Sequence, residues 1–164
     1  MDSAFSCAEK APDFTMAEVA LAAGLSRQAV YLHFPDRAGL LAVLLARTGA
    51  EHPSAGIEAA PSARAALALV AGRQAETYPR LWPVVRALGS DWADDALAAT
   101  CHALAERFRS EGALAPHLSP SAASDLLATL FSLSVWKELV KVRGWNSARY
   151  KSHIAFLAAG ALTH

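Results

Sequence analysis

A chain of 164 residues that is 54% hydrophobic and only 18% charged can bury a core of its own, which argues against disorder. Fifteen basic residues offset fifteen acidic ones, so net charge draws the chain to no polyanion, and any cationic footprint must be local. The apolar runs Leu40–Ala46 and Leu126–Val135 are too short or too interrupted to span a bilayer, which points to a cytoplasmic protein with no membrane partner.

Met1–Phe14 lacks the apolar run of a signal peptide. The first strong local signal is Thr15-Met16-Ala17-Glu18, a capping box that opens a helix carrying Met16, Val19, Ala20 and Ala23 at helical spacing. Gly24 stops that helix. Ser26 caps a second one, with Ala29, Val30 and Phe34 inward, and Pro35 breaks it. Asp36 caps a third, which turns Leu40, Leu41, Leu44 and Leu45 inward.

Gly49–Pro61 holds two glycines and two prolines with little periodicity and reads as a linker. Beyond it the pattern predicts helices over Ser62–Tyr78, Leu81–Leu88, Asp94–Ser110, Pro120–Arg143 and Ser147–Leu162. Pro79 separates the first two, and Pro83 falls in the first turn of the second. Pro120–Arg143 is apolar on more than one face, so it is expected to be buried on several sides. Small residues on the last helix (Ala155, Ala158, Ala159 and Gly160) permit close helix approach, as at an oligomer interface. No segment reads convincingly as strand, and the fold class is all-α.

Two short helices joined at Gly24 form a helix-turn-helix candidate. In such a unit the start of the second helix reads base edges in the major groove, and Arg27 and Gln28 hold those leading positions. Arginine can pair with guanine and glutamine with adenine, each through two bonds, while free N–H groups at the Ser26 end suit a phosphate.

The stretch Thr15–Leu41, "TMAEVALAAGLSRQAVYLHFPDRAGLL", closely resembles the DNA-binding signature of the tetracycline-repressor (TetR) family of transcriptional regulators. The likeness lies in Thr15, Val19-Ala20, Ala23-Gly24-Leu25-Ser26, Val30-Tyr31, His33-Phe34 and Asp36-Arg37, leading to Leu40. It implies that Tyr31, His33 and Arg37 contact phosphates, that Arg27, Gln28 and Ala29 face bases, and that Thr15 and Ser26 also lie at the DNA. Val19, Leu25, Val30 and Phe34 would hold the unit together. The resemblance further implies a head over residues 1–47 and a C-terminal effector-binding and dimerisation bundle over 48–164. In the family the last two helices pair with their copies, and here Leu126, Leu130, Leu133, Ile154, Leu157 and Ala158 stand where such an interface is expected. The chain departs from the family ahead of Thr15, where only a remnant, Phe5–Lys10, stands in place of a full first helix. Met1–Arg47 also carries four cations against five carboxylates, a poor start for binding phosphates.

Tyr78, Trp82, His102, Phe108, Phe131 and Trp136, with Trp92, combine apolar walls with a few polar groups, as an effector pocket does. Taken singly, each of these residues is accounted for by core packing. Cys7 and Cys101 lack ligand spacing and read as free thiols. No metal site, phosphate loop or nucleophile–base arrangement stands out, so neither a cofactor nor an enzyme is expected.

The expected function is that of a homodimeric regulator, a repressor released from a palindromic operator by a small-molecule effector. The alternative is a helical small-molecule-binding dimer that has lost DNA binding along with its first helix.

Overall fold

Short polar side chains start several of the helices. Thr15, Ser26, Asp36, Ser119 and Ser132 each accept the backbone N–H three residues on. A computed structural model of the chain describes residues 1–48, 54, 56–89 and 95–163, and no strand occurs among them. The helices are α1 (Asp2–Lys10), α2 (Met16–Ala23), α3 (Arg27–His33), α4 (Arg37–Arg47), α5 (Ala63–Leu88), α6 (Asp95–Ser110), α7 (Pro120–Leu130), α8 (Leu133–Trp136) and α9 (Ser147–Thr163). A π-helical segment, Lys137–Val142, follows α8. The chain divides into two compact units: residues 1–51 with 79–93 form the first, and 52–78 with 94–164 the second.

In the first unit, the segment expected to hold only a remnant folds as the nine-residue helix α1. Asp2 in its first turn and Lys10 in its last suit the helix dipole, and Ala4, Cys7 and Ala8 give it one small buried stripe against α2. It ends where Pro12 forbids helical backbone at the preceding residue, and Ala11 is extended at φ −146° and ψ 135°. The core of this unit joins that stripe to Phe14, Met16, Val19, Ala20, Val30, Leu40, Leu41 and Leu44, together with Val84 and Ala87 from the second half of α5.

Two arginines tie the ends of these elements together. Arg37 donates through Nε to the Phe14 carbonyl (3.0 Å) and through Nη2 to the carbonyls of Pro12 and Ala87, the latter at 3.0 Å. Its guanidinium also lies 4.9 Å from the centre of the Phe14 ring. Arg86 Nη2 donates to the carbonyls of Ala8 (3.2 Å) and Glu9 (3.0 Å), in the last turn of α1, where the helix cannot satisfy its own carbonyls.

Three expectations change in the second unit and in α5. First, α5 is one helix of 26 residues that runs through both prolines, rather than two helices divided at Pro79. Proline removes one amide donor, and Pro79 and Pro83 are four apart, so both missing bonds fall on one side and the rest of the ladder can persist. Second, the segment expected as a continuous Pro120–Arg143 helix is interrupted. Phe131 leaves the helical region of ψ (4°), Ser132 turns extended and caps α8 through Val135 N, and the backbone then widens into the π-segment, where Arg143 N bonds to Glu138 O.

Third, Arg107 and Arg109 beside Glu106 and Glu111 read in the sequence as a solvated helix face, and Arg107 does not lie on one. It is half-buried, donates to the carbonyls of Ile57 and Ala60, and pairs with Glu111 at 3.0 Å. Glu111 in turn accepts the Ala63 N–H at the start of α5 (2.9 Å), and that bond, with the arginine, holds its carboxyl below the ordinary glutamate range.

The Arg37 brace can be tested directly. Arg37→Met keeps most of the stem but leaves the carbonyls it held without their charged donor, and should lower unfolding free energy by about 1.5–3 kcal/mol. Urea denaturation measures this, and an unchanged midpoint would rule out the brace.

Candidate nucleic-acid interface

The geometry of the α2–α3 corner follows from four residues. Thr15 and Glu18 form the complete capping box: Glu18 N donates to Thr15 Oγ1 at 3.2 Å, and Thr15 N donates to Glu18 Oε2 at 2.6 Å. That backbone bond and the Thr15 hydroxyl pull the Glu18 carboxyl below its ordinary range. The box is therefore fully formed above that range and is lost as pH falls through the lowered value.

Gly24 closes α2 in the left-handed region (φ 67°, ψ 28°), while Leu25 N reaches back to Ala20 O at 2.9 Å. Ser26 then caps α3, accepting Ala29 N at 3.1 Å.

α3 has seven residues, and Val30 is the one it buries. Ala29 is half-buried, whereas Arg27, Gln28, Tyr31, Leu32 and His33 are exposed. Tyr31 keeps 52% of its surface accessible and Leu32 85%. A helix held by one buried valine, one cap and a glycine turn leaves nearly all its side chains outside the unit. Thr15 and Ser26 are exposed as well, although each hydroxyl is engaged in its cap.

Two residues sit differently from expectation. Leu25, expected in the core, is 53% exposed, because the turn carries it outward; with Ala17, Ala20, Leu21 and Arg27 it lines a shallow cleft of about 340 Å³. Arg37, expected at the phosphates, is half-buried with Nε and Nη2 engaged by carbonyls, so it braces the head in this structure. Sequence reasoning missed the exposed leucines Leu21 and Leu32. Their apolar side chains would ordinarily count toward a core, and only packing shows that they stand exposed.

The pocket residues proposed from sequence do not form one set. Phe108, Phe131 and Trp136 are fully buried and Tyr78 nearly so, all in the second unit, while His102 is exposed and Trp82 belongs to the first unit. Trp92 lies outside the described residues. Of the expected interface residues, Leu133, Ile154 and Ala158 are buried within their own unit, Leu130 is half-buried, and Leu126 and Leu157 are exposed. Phe156, which the sequence did not single out, is 76% exposed on α9.

Residues 7–44 match the family described as bacterial regulatory proteins, tetR family. The match covers the end of α1, all of α2 and α3, and most of α4. The crystal structure of a "putative TetR-family transcriptional regulator" from Rhodococcus sp. has the same fold, with a TM-score of 0.66 and 21% identity over 99% of this chain and 95% of that one. No curated protein matches the chain significantly. Residues 7–44 thus form a helix-turn-helix segment that matches the tetR family.

The local accounting separates structural from outward-facing residues. Gly24→Ala meets no neighbouring atom but must hold φ 67°, and should cost about 1–2 kcal/mol. Arg27→Ala should stay within about 0.5 kcal/mol of the parent. Thermal unfolding of the two variants checks the contrast, and an equal loss in both would contradict it.

Proposed function

We propose that this chain, whose residues 7–44 carry the tetR-family module, is a homodimeric transcriptional repressor that a small-molecule effector releases from a palindromic operator. The observation that carries the reading is α3, a capped helix that buries Val30 alone and turns Arg27, Gln28, Tyr31 and His33 to solvent. A side-chain set with an arginine and an amide at the leading turn, followed by a phenol and an imidazole, suits base edges first and phosphates after.

Repression and release need a second state. DNA favours one separation of two heads, the effector favours another, and the coupling is reciprocal. Effector binding falls to the second unit. Covalent continuity to the head is supplied by α5, which gives residues 63–78 to one unit and 79–88 to the other.

Dimerisation is supported by large apolar side chains that stand exposed among the described residues of the second unit. On α9, Tyr150, Ile154, Ala158 and Leu162 form the buried stripe, while Phe156 and Leu157 face outward. On α7, which packs against α9, Leu126 is 40% exposed. Two aromatic or leucine side chains in water on one helix are better matched by a copy than by solvent.

Electrostatics set the expected character of DNA binding. Among the described residues of the head unit, six cations (Lys10, Arg27, Arg37, Arg47, Arg80 and Arg86) face five carboxylates (Asp2, Glu9, Asp13, Glu18 and Asp36). Arg37 and Arg86 are engaged by carbonyls, and Arg27 is the one formally charged residue on α3. With one cation brought to the DNA per protomer, whether it meets a base edge or a phosphate, the slope of log affinity against log salt is about −2 for the dimer, so affinity falls roughly tenfold between 50 and 200 mM salt.

DNA selected from a random pool provides the test. Salt titration should show that shallow slope, Arg27→Ala should change base preference at one position, and Tyr31→Phe should weaken all sites alike. Failure to select any DNA would sink the regulator reading, and a loss of a thousandfold or more over the same salt range would sink the contact assignment.

Wild-type protein at micromolar concentration should sediment as a dimer and Phe156→Asp as a monomer. A wild-type monomer would overturn the dimer.

A further inference from the structure

The second unit keeps polar side chains in its core that the protein itself leaves incompletely bonded. Gln74 is 3% exposed and Trp136 1%. Gln74 Oε1, Trp136 Nε1 and, on α9, the hydroxyl of the fully buried Tyr150 have no hydrogen-bond partner. Buried polar atoms are paired in the great majority of cases, so an orphaned acceptor and an orphaned donor in one core ask for an explanation.

The side chains of Gln74 and Trp136 both meet Tyr78. Gln74 Nε2 donates to the Tyr78 hydroxyl at 3.0 Å, and the Tyr78 ring meets Trp136 edge-on with ring centres 6.0 Å apart. Gln74 Nε2 and Tyr78 OH also donate to the Phe131 carbonyl, at 3.1 and 2.5 Å. That carbonyl marks the break between α7 and α8, and the π-segment begins directly after Trp136. The orphaned atoms of Gln74 and Trp136 therefore sit beside the most irregular stretch of helix in the described chain, a kind of distortion often found at functional sites.

The chemistry of what would satisfy them is narrow. Gln74 Oε1 needs a donor and Trp136 Nε1 an acceptor, and a hydroxyl group is both. Beside them are the rings of Tyr78 and Trp136, in edge-on contact, and the side chain of Phe131 is buried in the same unit. Among the described residues the buried polar side chains are Thr48, Gln74 and Thr100 beside the tyrosines and Trp136, with no acid or base; Lys141, whose Nζ lies 5.6 Å from the centre of the Trp136 ring, is exposed, so a buried ammonium would have no counter-charge and a buried carboxylate only that solvated one.

We infer that Gln74 and Trp136 are the polar contacts of the effector site, and that it takes an uncharged aromatic compound bearing a hydroxyl group. This rests on the proposed reading that the second unit binds an effector.

The full chain is tested with phenol, toluene and benzoate at equal millimolar concentrations, following thermal unfolding and tryptophan fluorescence. Phenol should raise the melting temperature and change the fluorescence, while toluene and benzoate should do neither. Gln74→Leu and Trp136→Phe, each checked for helical content, should each weaken phenol binding at least tenfold; two variants keep the test open should one fail to fold. Equal stabilisation by toluene or benzoate, no effect of phenol, or unweakened phenol binding in a folded variant would overturn the inference, the last two being what a site filled by water alone would give.

DNA release is scored separately on the selected operator. Release by another class of compound, undiminished in Gln74→Leu, removes the inference and leaves the regulator reading intact. A phenol response without any selectable DNA keeps the site and removes that reading.

Discussion

The head depends on one guanidinium. Arg37 gathers the carbonyls of Pro12, Phe14 and Ala87, which belong to the α1–α2 connection and to the far end of α5. A small unit of short helices has little apolar area with which to fix its connections, and charge-assisted bonds to carbonyls that cannot be paired within a helix supply the missing constraint. Arg86 does the same at the last turn of α1. Two of the six described cations of this unit are thereby engaged in its own architecture, which is why its surface has little positive charge to offer a phosphate backbone.

With its connections held from behind, α3 can afford a thin attachment. It is anchored by Val30, the Ser26 cap and the left-handed Gly24, and the rest of it is surface. Packing and presentation compete for the same seven residues, and here presentation dominates. The exposed Leu21, Leu25 and Leu32 belong to the same outcome: they are apolar positions that the unit does not use for its own core.

The second unit resolves a different conflict. α7 ends at Phe131 because Ser132 competes for the backbone as a cap, and the carbonyl exposed by that interruption is accepted into a buried polar knot of Gln74 and Tyr78. The knot explains why two polar side chains occupy the buried face of α5. It also leaves Gln74 Oε1 and Trp136 Nε1 unanswered, so the same residues that repair the helix define the polar chemistry of the core around them.

Local chemistry determined the starts and stops of the head. The Thr15–Glu18 box, the Gly24 turn, the Ser26 and Asp36 caps and the inward leucines of α4 are legible because each depends on neighbours within four residues. The resemblance carried by the same stretch pointed to the module that residues 7–44 match, and to Arg27, Gln28, Tyr31 and His33, which are exposed. What sequence could not decide were the outcomes set by distant partners. α1 looked like a remnant because its buried stripe is only alanine and cysteine, which shows no amphipathic pattern until α2 covers it. Arg37 read as a surface cation because its partners lie 23 to 50 residues away. Proline-containing α5 read as two helices and the broken α7–α8 stretch as one, because whether a helix survives a lost hydrogen bond is settled by what packs around it, and local propensity carries no record of that.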